Sequence, residues 1–425
     1  MKQVKVALLG LGVVGSGTYR ILQNQKKYIA SNDKVEIIVS KVLEKNQDRI
    51  KELKIQKSLV AKNIDEIVND REISIVAEFF GGINPAKEFL IKCLKSGKSI
   101  VTANKEMLAK SWPELEAAAR EGNAGIYFEA SCVGGVPVIR TLTESMQGNN
   151  IVSLKGIVNG TTNYILSRMI KEKVDYNTCL KDAQKLGYAE ANPSADVDGF
   201  DAMYKNSILS SLAYKKRVPI EKIYREGISN ISLEDIEVGL EMGYTLKLLA
   251  ISKQVGGKIE ARVHPVFLPS DHPLAQVQGS FNALFMHGDS VDDVMLYGRG
   301  AGSFPTGSAI VSDIVYAATV TEHRRYVWEE VKEINDDDFE NNFISKYYVR
   351  ILANDTEGIL SAITSVFSKN KISIKSMIQK DSKKQSVPII FITHETREES
   401  MKKALDEISQ IMGVESIPAV IRVED

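Results

Sequence analysis

Val4-Lys5-Val6-Ala7-Leu8-Leu9 is an apolar, β-rich run that leads directly into Gly10-Leu11-Gly12-Val13-Val14-Gly15. Beyond the glycines, Tyr19, Ile21 and Leu22 begin a helical pattern. The turn therefore has the strand before it and the helix after it that a dinucleotide-binding βαβ unit requires. Gly10 suits the tight turn, Gly12 the close approach of a pyrophosphate, and Gly15 the packing of the helix on the strand. Val13 and Val14 open that helix, whose N-terminus offers positive potential to phosphates. The ordinary alternative is a βαβ turn with no ligand, which the full strand-turn-helix context disfavours.

Working outward, a second strand is expected over Val35–Leu43, ending near Glu44, Lys45 and Arg49, where a ribose 2′ position is read. An acid there favours NAD, and basic residues favour the 2′-phosphate of NADP. With Lys45 and Arg49 both following the strand, the expectation leans to NADP, with NAD as the alternative. Further strands at 73–79 and Ser99–Thr102 continue a doubly wound α/β sheet of Rossmann type. Ligands collect beyond the carboxyl ends of such strands, where Thr102 and Lys105 fall. For Lys105 the plain alternative is a surface lysine opening a helix.

A chain of 425 residues implies two to four domains. With 44% hydrophobic residues, 26% charged residues and a net charge of -1, neither nucleic acid nor a membrane is an expected partner. No stretch approaches the roughly 20 apolar residues of a membrane span, and the first apolar run is too short for a signal peptide. Cys93, Cys132 and Cys179 are odd in number and lack zinc-ligand or CxxC spacing. A reducing cytoplasm is expected.

Candidate chemistry concentrates in the run from Gly187 to Lys205, which holds Glu190, Asp196, Asp198, Asp201 and Lys205. Asn192-Pro193-Ser194 must be loop, whereas Ile208, Leu209 and Leu212 recur at helical spacing. On that helix Asp201 and Lys205 share a face, and a carboxylate beside an ammonium can orient and tune it for proton transfer. The ordinary alternative is a helix cap followed by a solvated ion pair. Upstream, Glu129 precedes a glycine-bearing turn, Cys132-Val133-Gly134-Gly135-Val136, whose carbonyls could join it around a hard cation; a turn closing on the sheet is the plainer account. The stretch from Leu154 to Leu166 runs from strand to helix through Asn159-Gly160-Thr161-Thr162, where polar groups can cap the helix or grip a small polar substrate.

GLGVVG at 10–15, VTANK at 101–105, GIVNGTTNYIL at 156–166, LGYAEANPSADVDGFDAMYK at 186–205 and GRGAGSFPTGSAIVSDI at 298–314 together resemble homoserine dehydrogenase. The blocks stand in the family's order over about the first 315 residues. The resemblance implies reversible NAD(P)-dependent interconversion of L-aspartate 4-semialdehyde and L-homoserine, on the route to threonine and methionine. It assigns acid/base chemistry to Lys205, with Asp201 and Lys105 beside it, and substrate binding to Glu190, Asp196, Gly160 and Thr161. It assigns cofactor contacts to Gly10, Gly12, Val13, Val14, Gly15, Lys45, Thr102, Lys105, Gly300 and Gly302. A monovalent cation, sodium by analogy, would be held by Glu129 and the carbonyls of Cys132, Gly134 and Val136. Cysteine at 132 departs from the apolar residue expected there, although only its carbonyl would ligate.

Asp336-Asp337-Asp338 marks an acidic linker over 331–345. Beyond it, a βαββαβ pattern over 346–425 has a ferredoxin-like layout and, with Asn354-Asp355-Thr356-Glu357-Gly358 at its first strand-to-helix turn, resembles an ACT domain. That resemblance implies amino-acid sensing, with threonine the candidate effector, against a packing module without ligand.

The expected architecture is α/β: a Rossmann dinucleotide-binding domain over 1–130, rejoined by a returning segment near 303–330; an α+β substrate and dimerisation domain over 131–302; and the ACT-like unit. A homodimer or higher homo-oligomer is expected. Because every block carrying chemistry precedes the linker, the C-terminal unit reads as separable. The rivals are another NAD(P)-dependent amino-acid aldehyde dehydrogenase or reductase, and a non-catalytic nucleotide-binding sensor.

Overall fold

The computed structural model describes residues 1–326, 335–379 and 386–424. Five parallel strands, β1 (Lys2–Leu9), β2 (Val35–Leu43), β3 (Ile73–Glu78), β4 (Ser99–Thr102) and β5 (Ile126–Tyr127), form one sheet in the order β2-β1-β3-β4-β5. The apolar runs Val6–Leu9 of β1 and Ile75–Ala77 of β3 follow from burial on both faces, while the edge strand β2 alternates between buried and half-buried residues. Val6 and Leu8 point into a core shared with Leu22, Ile310 and Ile314, while Ala7 and Leu9 point into another with Leu90, Met107 and Leu115. The helix Ser303–Thr319 thus returns to the first domain. Strand order reverses between β1 and β3, which leaves a crevice at the end of β1.

Eleven further strands among the described residues make a single mixed sheet. They are β6 (Ile151–Ile157), β7 (Tyr224–Arg225), β8 (Tyr244–Val255), β9 (Lys258–Pro269), β10 (Phe281–Gly288), β11 (Asp292–Arg299), β12 (Ile344–Asn354), β13 (Ile374–Gln379), β14 (Ser386–Thr393), β15 (Thr396–Arg397) and β16 (Val414–Val423). The main path runs β11-β10-β6-β8-β9-β16-β12-β14-β13. Across this sheet lies the helix Phe200–Tyr214, pinned by Asn206, whose amide donates to the carbonyls of Ile251 on β8 and Arg262 on β9 at 3.1 and 3.2 Å.

The βαββαβ unit forms at the C-terminus as the sequence predicts, but it is not a body apart. β16 pairs in parallel with β9 through Arg422 opposite Val266 and Val423 opposite Phe267, so one sheet crosses both units. Strand alternation explains the arrangement. Tyr347, Val349 and Ile351 of β12 face the helices Ile359–Lys369 and Glu398–Ser409, while Tyr348, on the opposite face, joins the core of the middle domain. Nor does the acidic stretch hang free where it is described. Lys216 and Lys222 pair with Asp338 and Asp336, and the Glu340 amide donates to the Ile259 carbonyl at 2.9 Å. The first part of the expected linker, 331–334, lies outside the described residues.

Candidate active site

The glycine turn at the end of β1 is closed by sterics. A Cβ on Gly15 would stand 2.3 Å from the Gly10 oxygen, and Gly10 itself has φ +96°. Gly12 caps the helix Val13–Asn24, Val13 is exposed, and a side chain at Gly12 would meet nothing within 4 Å. A second helix N-terminus arrives beside the first: Gly302 precedes Ser303, whose hydroxyl donates to the Val13 carbonyl at 2.7 Å. Two helix N-termini over an open glycine turn fit a dinucleotide's phosphates. At the ribose end the half-buried Glu44 accepts from the amides of Leu11, Lys45 and Asn46 at 2.5, 2.7 and 2.8 Å. Lys45 is exposed, and Arg49 is paired with Glu52 at 2.6 Å.

At the end of β4, Thr102 is fully buried and donates to Glu78 on β3 at 2.6 Å, while its hydroxyl oxygen accepts from the Asn104 amide at 3.0 Å. Asn104 caps the helix Lys105–Glu121, so this buried chain of contacts fixes where Lys105 begins. Burial pushes the Glu78 carboxyl up, against the hydrogen bond from Thr102. Glu78 gave no motif-level signal.

Lys105 meets the second lysine at one carboxylate. Its ammonium lies 3.2 Å from Asp201 Oδ1, while Lys205 Nζ lies 2.7 Å from Asp201 Oδ2 and donates to the Val158 carbonyl at 2.7 Å. Lys205 and Asp201 are each 9% exposed at the side chain, against 41% for Lys105. Burial alone would raise the Asp201 carboxyl, but the two ammonium groups outweigh it and hold the acid well below the usual carboxylate range. Asp201 in turn raises Lys105 above its ordinary value, against the effect of burial.

Asn159 ties the rest together. Its amide donates to Asp201 Oδ2 at 2.9 Å and Asp196 Oδ1 at 2.6 Å, while its oxygen accepts from the Thr162 amide at 2.9 Å, capping the helix Gly160–Glu172. Sequence reasoning found only the cap. Burial leads in raising the Asp196 carboxyl, which the Asn159 bond opposes. Thr161 donates to the Tyr188 carbonyl at 2.7 Å, joining that helix to the acidic loop. Glu190 sits exposed on the loop, its carbonyl held by Gln184 at 3.0 Å. The structure thus gathers Lys105, Lys205, Asp201, Asp196, Gly160 and Thr161, and leaves Glu190 on the exposed turn.

Glu129 is 2% exposed, and its two oxygens accept from the amides of Ile139 and Arg140 at 2.7 and 2.9 Å. Asp313 accepts from the Glu129 amide at 2.8 Å and pairs with Arg140 at 3.2 Å. Burial and then the Glu129 charge push the Asp313 carboxyl up to about 7. A Cβ on Gly134 would stand 2.2 Å from the Gly300 oxygen, so the turn after Glu129 packs on the 298–302 segment. The Val136 carbonyl accepts from Val138 at 2.8 Å. Among the described residues, no cluster of three or more His, Cys, Asp or Glu side chains could hold a metal.

Residues 10–129 match the NAD binding domain of homoserine dehydrogenase, 137–315 match homoserine dehydrogenase, and 347–411 match the ACT domain. The chain belongs to the homoserine dehydrogenase family. It is similar to the homoserine dehydrogenase of Bacillus subtilis (strain 168), 38% identical over 432 residues that cover 100% of this chain and 99% of the relative. That of Helicobacter pylori is 39% identical over 425 residues, covering 100% of each. The crystal structure of a homoserine dehydrogenase from Thiobacillus denitrificans superposes with a TM-score of 0.91 at 37% identity, covering 100% of this chain and 99% of that one. A hyperthermophilic archaeal homoserine dehydrogenase in complex with NADPH has a TM-score of 0.64 at 28% identity, covering 76% of this chain and 100% of that one. Membership makes the chain an NAD(P)-dependent oxidoreductase, and neither the other aldehyde dehydrogenases nor a non-catalytic sensor is favoured.

Proposed function

We propose that Lys205 is the acid/base group of a reversible reduction of L-aspartate 4-semialdehyde to L-homoserine. The observation that carries this is the lysine's own inventory. Of its three N–H donors, Asp201 and the Val158 carbonyl occupy two, which leaves one for the reacting oxygen. A bound nicotinamide supplies or accepts the hydride. In reduction, Lys205 stabilises the charge growing on the aldehyde oxygen and donates a proton to it. In oxidation, it must first be deprotonated, directly or through a held water, to receive the hydroxyl proton. Asp201 orients both lysines, and Lys105, more exposed, faces the cofactor side. Glu190 and Asp196 are the carboxylates for the substrate's ammonium. Gly160 and Thr161 open a helix whose N-terminus suits the substrate's carboxylate.

The test is homoserine-dependent reduction of NAD and NADP by the purified chain. Turnover of a different amino-acid alcohol in preference to homoserine would sink the assignment. The cofactor cradle accommodates either dinucleotide: Glu44 for a 2′-hydroxyl, Lys45 for a 2′-phosphate. A monovalent cation at Glu129 with the carbonyls of Cys132, Gly134 and Val136 is supported by charge: Glu129 and Asp313 are both buried against one guanidinium, Arg140. Self-association is supported by β11, which among the described residues pairs on one side only and carries the exposed Tyr297. A reducing, cytoplasmic setting is supported by three buried, unbridged cysteines. In the described residues no helix is long and apolar enough to cross a membrane. The ACT unit is read as the seat of an amino-acid effector, threonine being the candidate.

A further inference from the structure

Glu78 ends β3, the strand between β1 and β4, and its carboxyl is fully buried. No step of the proposed reaction uses it. A carboxyl in such a place is costly, which makes each of its contacts worth an account. Oε2 accepts from the Thr102 hydroxyl at 2.6 Å, whereas Oε1 has no hydrogen-bond partner among the described residues. Burial therefore drives the group towards its uncharged form, over the opposing bonds from Thr102, the Phe80 amide and Asn104.

Two bonds stitch the ends of β3 and β4 together. Beside the one between Thr102 and Glu78, the Asn104 side chain donates to the Gly82 carbonyl at 2.6 Å. Thr102 has a single hydroxyl proton, and because Glu78 takes it, the oxygen's lone pairs are left for the Asn104 amide at 3.0 Å. Asn104 Oδ1 accepts in turn from the Met107 amide at 3.1 Å, which starts the helix that Lys105 opens. On the other side of Glu78, Phe79 and Phe80 pack on the dinucleotide turn. A Cβ on Gly15 would stand 3.1 Å from the Phe79 ring, and one on Gly10 would stand 3.3 Å from the Phe80 ring. The carboxyl is thus joined to the glycine turn through main chain and to Lys105 through hydrogen bonds.

Lys105 carries this placement to the catalytic cluster, its ammonium 3.2 Å from Asp201 Oδ1. A displacement of about 1 Å at such a contact can lower a rate on the order of 10²-fold. We propose that Glu78 is a positioning residue for the reaction: through Thr102 and Asn104 it sets the Lys105 ammonium against Asp201 and at a fixed place relative to the dinucleotide turn. Fully buried, it acts only through these neighbours. What it contributes is an acceptor in the right position rather than a charge. The role rests on reading Lys105 and Asp201 as members of the catalytic cluster.

The test uses the full chain as Glu78→Met, Glu78→Gln, Lys105→Ala and the double variant Glu78→Met with Lys105→Ala. The readouts are kcat for homoserine oxidation, NADPH affinity by fluorescence titration, and Tm. Glu78→Met keeps the bulk and removes the acceptor, so kcat should fall at least about tenfold with NADPH affinity nearly unchanged. Glu78→Gln keeps an acceptor for Thr102, and its kcat should stay within about threefold of the parent even though an NH₂ group without an acceptor lowers Tm. Turnover and stability then part company, which a merely structural role does not allow. In the Lys105→Ala background Glu78→Met should cost almost nothing further, because both changes remove the same contact. Parent turnover in Glu78→Met, with Lys105→Ala slow, overturns the role of Glu78 alone. An equal loss in both backgrounds overturns the route through Lys105, and Glu78→Gln as slow as Glu78→Met overturns the geometric role. Parent turnover in Lys105→Ala overturns the reading of Lys105 first and this role with it. Should Glu78→Met fail to fold, Thr102→Val, which keeps the side-chain shape and deletes the hydroxyl, carries the same comparisons.

Discussion

Lys205 Nζ lies 2.7 Å from Asp201 Oδ2, one helical turn back along the same buried face. The pair is held by the helix itself, so deleting one partner does not release the other into solvent. Lys205→Ala is expected to lower kcat by about 10²-fold or more, the usual loss for a general acid/base, with dinucleotide affinity nearly unchanged. Near-normal turnover in a folded variant would transfer the role to Lys105 or to water.

Asn159 does for the carboxylates what Asp201 does for the lysines. Asn159→Ala removes a helix cap, a loss of about 1 kcal/mol, and leaves Asp196 and Asp201 facing each other without a shared donor. Homoserine KM should rise and kcat fall while cofactor affinity holds. Asn159→Asp should be worse, because it adds a third carboxylate where a donor stood. If the two variants match the parent kinetically, Asn159 is a cap and nothing more.

Glu44, fixed beside the glycine turn by three amides, is expected to decide cofactor choice. Glu44→Gln keeps an acceptor and removes the charge that a 2′-phosphate would meet. The ratio of kcat/KM for NADP over NAD should rise about tenfold, the scale of a near-surface like-charge contact. An unchanged ratio would place the 2′ position elsewhere.

Local pattern carried the first domain. The β1 run, its glycines and the helix after them are contiguous, so Val6 and Leu8 could be assigned to a core from sequence. The Asp201–Lys205 pair was legible for the same reason, four residues on one helix. Asn159 was legible only as a cap, because its second function needs Asp196 and Asp201 to arrive from 37 and 42 residues away. The fusion of the two sheets left no periodic signal at all. It depends on two residues of β16 meeting β9, and on charges such as Arg262, Asp235, Arg350 and Glu424 that look like surface residues until their partners, more than a hundred positions away, are in place.

Lys247 is fully buried, and among the described residues its ammonium reaches only neutral acceptors in the Asn163 side chain and the Val277 carbonyl. Burial lowers it from its ordinary 10.5 to about 8. Between those values the unfolded chain binds the extra proton, so this residue makes stability rise with pH from about 8 to 10.5. Below that window its cost is fully present. The stability of the parent minus that of Lys247→Met should therefore climb across the window, by an amount on the order of 3 kcal/mol. A flat difference would mean that Lys247 stays charged and solvated.

The C-terminal unit is tied to the middle domain by a guanidinium with no solvent contact. Arg262 is 0% exposed and pairs with Glu260 at 2.7 Å on its own strand and with Glu424 at the end of the chain, while Lys253 reaches the same Glu424 at 2.9 Å. The surrounding cations hold the Glu424 carboxyl far below its usual range even though burial raises it. Removing one member of such a pair leaves a buried charge uncompensated, which costs about 3–5 kcal/mol. Glu424→Ala should lower Tm and the denaturant midpoint by a corresponding amount, and Arg262→Met combined with Glu424→Leu and Glu260→Gln, which leaves neither carboxylate buried without its guanidinium, should recover much of the loss. By the same argument a chain cut after Ser345 loses Glu424, the Arg350 partner of Asp235 and the strand on β9 together. It should aggregate or melt well below the full chain rather than work as an independent catalytic fragment. A truncated protein with unaltered Tm and turnover would return the C-terminal unit to the status of a detachable module.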